Sequence, residues 1–358
     1  MKGKYKKIKI EESSPKENLN HQKLFNYGLA ILKSYMAFLV VVAHNFRKET
    51  TKNELLLKFT KNRFLHVPSF FIMSFYFMQK KLLLLKPKII LNRLVRLLIP
   101  YITYAFIAWK LNHYYNLKYH KRYHDTYEDL IYQLKWGKRY LQQFWFQWNL
   151  IFHTIFFTLI IFIFRRHYLF IMYILLILSY AAQYSGYHTQ HYFLKYPNVN
   201  KEVTCFLFET LPFAVTGFSL GYYNIINILQ NYKMKTLILS SIIYKIILDY
   251  NIFRKIKGIN FQGINLNIQS ICLIFIFSLF PSNKIKNKYL QKFLITITNY
   301  SAGVFYLHIS IREYLSDFFD DIKKRNFKGV IITYLICYFI CFLGMIFFGK
   351  TPAKYLFS

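Results

Sequence analysis

The sequence predicts an all-α fold, a polytopic membrane helix bundle with about ten transmembrane helices, and three observations carry that prediction. Hydrophobic residues fill 55% of the 358 positions and aromatics 21%, above the share of a soluble domain. Apolar runs near the roughly 20 residues that a helix needs to cross a hydrocarbon core recur along the whole chain. Backbone groups in lipid must be satisfied within their own segment, so these runs form helices rather than open strands.

In chain order the predicted spans are Phe25 to Ala43, Phe64 to Leu85, Leu97 to Leu111, Phe144 to Phe164, Tyr168 to Tyr184, Val203 to Tyr223, Thr236 to Phe253, Ile264 to Phe280, Phe293 to Ile311 and Val330 to Phe348. The first follows a polar tail and has no small-residue cleavage site after it, so it reads as a retained span. It carries Lys33 and leads to His44. Arg93 and Arg96 stand at the entrance to the third. The fourth opens with Trp145 and Trp148, which place His153 in an interfacial aromatic belt. The sixth holds Glu209 one turn in, with Pro212 after it. In the seventh, Lys245 and Asp249 stand four apart, where they pair with each other. The ninth carries His308 on its penultimate turn.

These spans divide the chain into a basic tail (1–24), one continuous transmembrane domain (25–349) and a short basic C-terminus (350–358). The longest connection, Asn112 to Gln143, is rich in Tyr, His and charge and reads as an interfacial cap. The net charge of +33 is spread over short loops, which favours anionic lipid headgroups as partners over nucleic acid. Lys and Arg divide evenly between the two sides, so charge alone does not set the orientation. Cys205, Cys272, Cys337 and Cys341 all fall within spans, a pattern of neither a disulfide framework nor a metal cluster, and no metal is predicted.

Ionisable groups at membrane depth are costly to bury and mark candidate functional sites. Lys33 and His44 frame ten residues. In a helix they lie about 16 Å apart and close to whole turns, hence on one face at two depths. Arg93 and Arg96, three apart, share a face and can grip one phosphate between them, or anchor headgroups.

ILKSYMAFLVVVAHNF, which holds Lys33 and His44, resembles the first helix of the acyltransferase-3 family of membrane O-acyltransferases. That helix pairs a basic residue with a histidine after ten residues. RLVRLLIPY from Arg93 to Tyr101 is similar to the family's Arg-x-x-Arg and Leu-Ile-Pro-Tyr run, and VPSFFIMSFYFM to its Ser-Gly-Phe-Leu segment. FWFQW, LPFAVTGFSLG and NYSAGVFYLHIS resemble further family motifs in the same order. Two positions depart from the pattern: Lys33 stands where the family usually has Arg, and Phe75 replaces a Gly, which alters helix packing there.

The resemblance implies an acyl-CoA donor, acetyl-CoA or another, whose phosphates Arg93 and Arg96 hold at the cytoplasmic face. His44 then acts as general base on an acceptor hydroxyl, and Lys33 positions the donor or biases the imidazole. Direct transfer and an acyl-enzyme step both stay open. The same resemblance implies a cell-surface carbohydrate acceptor, a plasma-membrane location and two cytoplasmic termini. His308, Trp145 and Glu209 are further candidates near the acceptor, and Tyr114, Tyr115 and Trp136 are candidates for stacking sugars. The competing reading is a transporter or flippase for a lipid-linked saccharide or small solute, which needs intramembrane charges but no thioester chemistry. A polysaccharide polymerase is a third.

Overall fold

A computed structural model describes residues 26–54, 56–57, 65–119, 125–136, 141, 144–193, 201–250, 262–280 and 285–357. They form thirteen α-helices and no strand among the described residues. In chain order these are α1 (Tyr27–Asn45), α2 (His66–Leu83), α3 (Pro87–Tyr119), α4 (Tyr127–Trp136), α5 (Phe144–Phe164), α6 (Tyr168–Phe193) and α7 (Lys201–Tyr222). They continue with α8 (Ile225–Gln230), α9 (Lys233–Tyr250), α10 (Gln262–Ser278), α11 (Lys288–Leu315), α12 (Asp320–Lys324) and α13 (Phe327–Phe348). Each of the ten predicted spans overlaps a helix. Among the described residues, five helices are long and apolar enough to cross a bilayer: α1, α3, α5, α11 and α13.

Side-chain caps fix several helix starts. Asn26 accepts from Leu29 N at the start of α1 and donates to Ser278 O at the end of α10. Asn287 caps α11 through Tyr289 N and Leu290 N, and Asn326 caps α13 through Gly329 N. Each satisfies amides that a helix cannot pair internally.

Helices α2 and α7 share the most extensive contact. A Cβ at Gly217 would lie 2.2 Å from the carbonyl oxygen of Ile72, so only glycine permits that approach. Parallel α1 and α11 touch along their length: Thr298 Oγ1 donates to Ala30 O, and Arg312 Nη1 to His44 O. Antiparallel α13 packs beside both, with Tyr334 OH donating to Ser34 O and Tyr338 OH to Ile297 O.

Two expectations need correction, and the short basic C-terminus proves to be folded. The third span does not start at Leu97, because α3 begins with Pro87 at its first position, where a missing N–H costs nothing, and runs for 33 residues. Arg93 and Arg96 therefore lie within the helix. The segment after α13 is not a free tail: Pro352–Leu356 forms a 3₁₀ turn that folds back, with Leu356 O accepting from Tyr104 OH of α3 at 2.8 Å. Phe357 stacks on Phe348 and fills the notch at Gly344. Lys245 and Asp249 are both exposed on α9, and no ion pair joins them among the described residues.

The connection from Asn112 to Gln143 does fold against the bundle in its described part. Thr126 and Asp129 cap α4 reciprocally. Trp109 Nε1 donates to Asp125 O and Tyr101 OH to Gln133 O, which lay α4 along α3.

Candidate active site

His44 sits half-buried at the end of α1. Its ring centroid is 5.1 Å from that of His308 on α11. His308 is fully buried, and its Nδ1 lies 2.8 Å from Phe305 O and 3.2 Å from Val304 O. Two carbonyl acceptors fix the proton on Nδ1 and leave Nε2 as a bare lone pair, which has no hydrogen-bond partner among the described residues. His44 and His308, far apart in sequence, thus form one imidazole pair. Lys33 is half-buried on α1, about three turns below His44.

Arg93 occupies a second polar centre. Its Nη2 donates to Ser74 Oγ at 2.7 Å and its Nε to Thr154 Oγ1 at 3.0 Å. Ser74 and Thr154 stand at the midpoints of α2 and α5, so the guanidinium reaches in from the first turns of α3 to the middle of two neighbouring helices. The Phe75 ring packs beneath it, 5.6 Å from Cζ to centroid. Phe75 thereby fills the place where a glycine was expected, while Gly217 and Gly221 of α7 provide the close approach to α2. Arg96 is exposed and turns to another partner, the ring of Tyr355 at 5.3 Å.

His153 is not part of an interfacial belt. It is 1% exposed, within reach of the rings of Phe71, Phe75, Phe152 and Phe157, and its Nε2 lies 2.8 Å from Thr210 Oγ1 of α7. The reason is its position beside the midpoint of α5, too deep to reach a headgroup region.

Aromatic rings join the two centres without a break. The sequence of contacts runs from His308 to Phe305 (6.2 Å), Phe146 (5.0 Å), Phe71 (4.7 Å) and His153 (6.0 Å), next to the Thr154 that holds Arg93. The rings are buried against one another, so the line between the two polar centres is continuously apolar.

The other expected residues lie apart from this line. Trp145 is half-buried against Phe146, and Trp136 is half-buried with Lys135 over its ring. Tyr114 is exposed. Glu209 belongs to α7, but its side chain and that of Tyr115 lie outside the described residues. Sequence reasoning missed Ser74, Thr154, Thr210 and Tyr355. Polar residues in otherwise apolar spans were the available signal for the first three.

The architecture and these two centres define a class: a multi-pass membrane helix bundle with basic chemistry in its interior. Residues 26–350 match the acyltransferase-3 family through its acyltransferase domain. The chain belongs to this family and is an acyltransferase. Comparison with curated proteins and with solved structures returned no match.

Proposed function

We propose that the protein transfers an acyl group, acetyl being the simplest, from acyl-CoA to a hydroxyl of a cell-surface carbohydrate. The observation that carries this reading is the ring-lined connection between Arg93 and the imidazole pair, with one end suited to phosphate and the other to proton transfer. Arg93 and Arg96 receive the phosphate end from the cytoplasmic side, and the pantetheine arm runs along the aromatic wall. On this reading the protein lies in the plasma membrane with both termini cytoplasmic, and His44 faces the outer side.

His44 accepts the acceptor's hydroxyl proton as the oxygen attacks the thioester carbonyl. The tetrahedral intermediate then collapses, the carbon–sulfur bond breaks, and the CoA thiolate takes the proton back from the imidazolium. His308 lies beside His44, its ring held by two backbone carbonyls, and packs against the base at 5.1 Å between centroids. Lys33, well below His44 on the same helix, serves the anionic donor rather than the base.

The test is binding of labelled acetyl-CoA to the purified, detergent-solubilised protein and to the Arg93→Ala, Arg96→Ala double variant. Saturable binding lost in the variant supports the reading. A folded wild type that binds no acetyl-CoA would favour a transporter or flippase of a lipid-linked saccharide.

A further inference from the structure

α5 is among the most apolar helices of the chain, yet its interior carries a polar side chain with nothing to bind. Asn149 is 1% exposed, and neither its amide nitrogen nor its oxygen has a hydrogen-bond partner among the described residues. Burial of an unpaired carboxamide is costly, and an apolar residue of the same size would avoid that cost. Such a group is satisfied by buried water or by a ligand, and its surroundings decide between them.

Its position indicates which ligand. Phe146 lies one turn before Asn149 and His153 one turn after, on the same helix face. The Phe71 ring contacts both, at 4.7 and 6.0 Å, so Asn149 stands between two members of the aromatic line. Phe146 continues through Phe305 to His308, while Thr154 next to His153 holds Arg93. Asn149 thus stands between the two ends of the site. Two other buried nitrogens on this line, His153 Nδ1 and His308 Nε2, also have no partner among the described residues.

A ligand that crosses this stretch needs apolar methylenes for the rings and a group with one donor and one acceptor for Asn149. A secondary amide has both, on opposite edges of its trans plane, and a carboxamide can donate to its carbonyl oxygen or accept from its N–H. The pantetheine arm of CoA consists of methylenes interrupted by two secondary amides. We infer that Asn149 binds the acyl donor, its carboxamide paired with a secondary amide of the pantetheine arm. This inference rests on the acyl-CoA reading above and adds to it the recognition of the arm, independent of the phosphates.

The experiment measures the affinity of the purified full chain for two probes: acetyl-CoA, and adenosine 3′,5′-bisphosphate, which keeps phosphate groups but has no arm. In Asn149→Leu, acetyl-CoA affinity is expected to fall about tenfold or more, with bisphosphate affinity unchanged and the melting temperature of the free protein unchanged or raised. Asn149→Ser, smaller and still polar, is expected to show the same split and covers the case in which leucine crowds the helix. Unchanged acetyl-CoA affinity in both variants would overturn the inference and assign the amide to buried water. Equal loss of both probes would also overturn it and make Asn149 a packing residue. A wild type that binds neither probe removes the CoA reading itself, an outcome distinct from either.

Discussion

The imidazoles of His44 and His308 face each other with ring centroids 5.1 Å apart and planes tilted by 45°. Helix packing rather than a loop sets this spacing, because α1 and α11 run parallel and Arg312 Nη1 ties the His44 carbonyl to α11 at 2.8 Å. The pair is held as a unit, and its members should act as one. His44→Ala is expected to lower transfer by about 10²- to 10⁴-fold, the range of a lost general base. His308→Ala should cost less, and the double variant should be no slower than His44→Ala alone. Single-turnover transfer from labelled acetyl-CoA measures all three; additive losses would show that the two rings work independently.

Arg93 and Arg96 are expected to differ, although their spacing in sequence presents them as a matched clamp. Arg93 ties α3 to α2 and α5 through two hydrogen bonds, each of a charged type worth about 1.5–3 kcal/mol. Arg93→Ala should therefore lower both donor affinity and melting temperature. Arg93→Lys should recover little of either, because an ammonium cannot present the fixed fork that reaches Ser74 and Thr154 together. Arg96→Ala should weaken donor binding with the melting temperature intact. Equal thermal effects would contradict this division.

The helices were legible in the sequence because lipid imposes one rule, an apolar run of sufficient length, on every span. The ends of α3 were not. Pro87 to Arg96 is too charged for a hydropathy reading, yet it is helical because Pro87 starts the helix and Arg93 finds Ser74 and Thr154 inside the bundle. Lys33 and His44 stood out by their spacing along the first span, and Arg93 and Arg96 as a spaced pair at the entrance to the third, whereas the His44 and His308 contact depends on the register of α1 against α11, which no local pattern reveals. His153 was misplaced for the same reason. Its tryptophan neighbours suggested an interface, but depth is set by where α5 begins relative to α3.

Gly217 should not tolerate a side chain. Its missing Cβ lets α7 rest on the backbone of α2, with the Ile72 carbonyl 2.2 Å from where that carbon would be. Gly217→Ala should cost about 1–3 kcal/mol through forced separation of the helices. Thermal unfolding in detergent measures it, and a variant as stable as wild type would mean that the pair can slide apart freely.

The start of α13 should be sensitive to acid. Asn326 caps that helix through Gly329 N and donates to Asp321 Oδ1 at 2.7 Å. This hydrogen bond and the nearby Lys328 hold the Asp321 carboxyl below its ordinary value. A depressed carboxyl contributes stability above its unfolded pKa and loses it as pH falls through its folded value. Asn326→Ala should remove a cap worth about 1 kcal/mol and flatten that acid dependence. Melting temperature followed from pH 7 downward tests both effects.

Arg96 rests on Tyr355, which belongs to a turn anchored at Tyr104 and Gly344 rather than to a mobile tail. An exposed guanidinium otherwise samples many rotamers, and ring contact restricts them at a gain of about 0.5–1 kcal/mol. If Arg96 grips the donor's phosphates, this restriction is paid before binding. Tyr355→Ala should then weaken acetyl-CoA affinity about two- to fivefold at unchanged rate under saturating donor, and Tyr355→Phe should restore it because the ring face is kept. Lys354 also lies over that ring, so Lys354→Ala serves as the control for charge near the site. A loss in Lys354→Ala equal to that in Tyr355→Ala would assign the effect to surface charge. A loss confined to the tyrosine, and absent when Arg96 is already alanine, would show that the ring acts through Arg96.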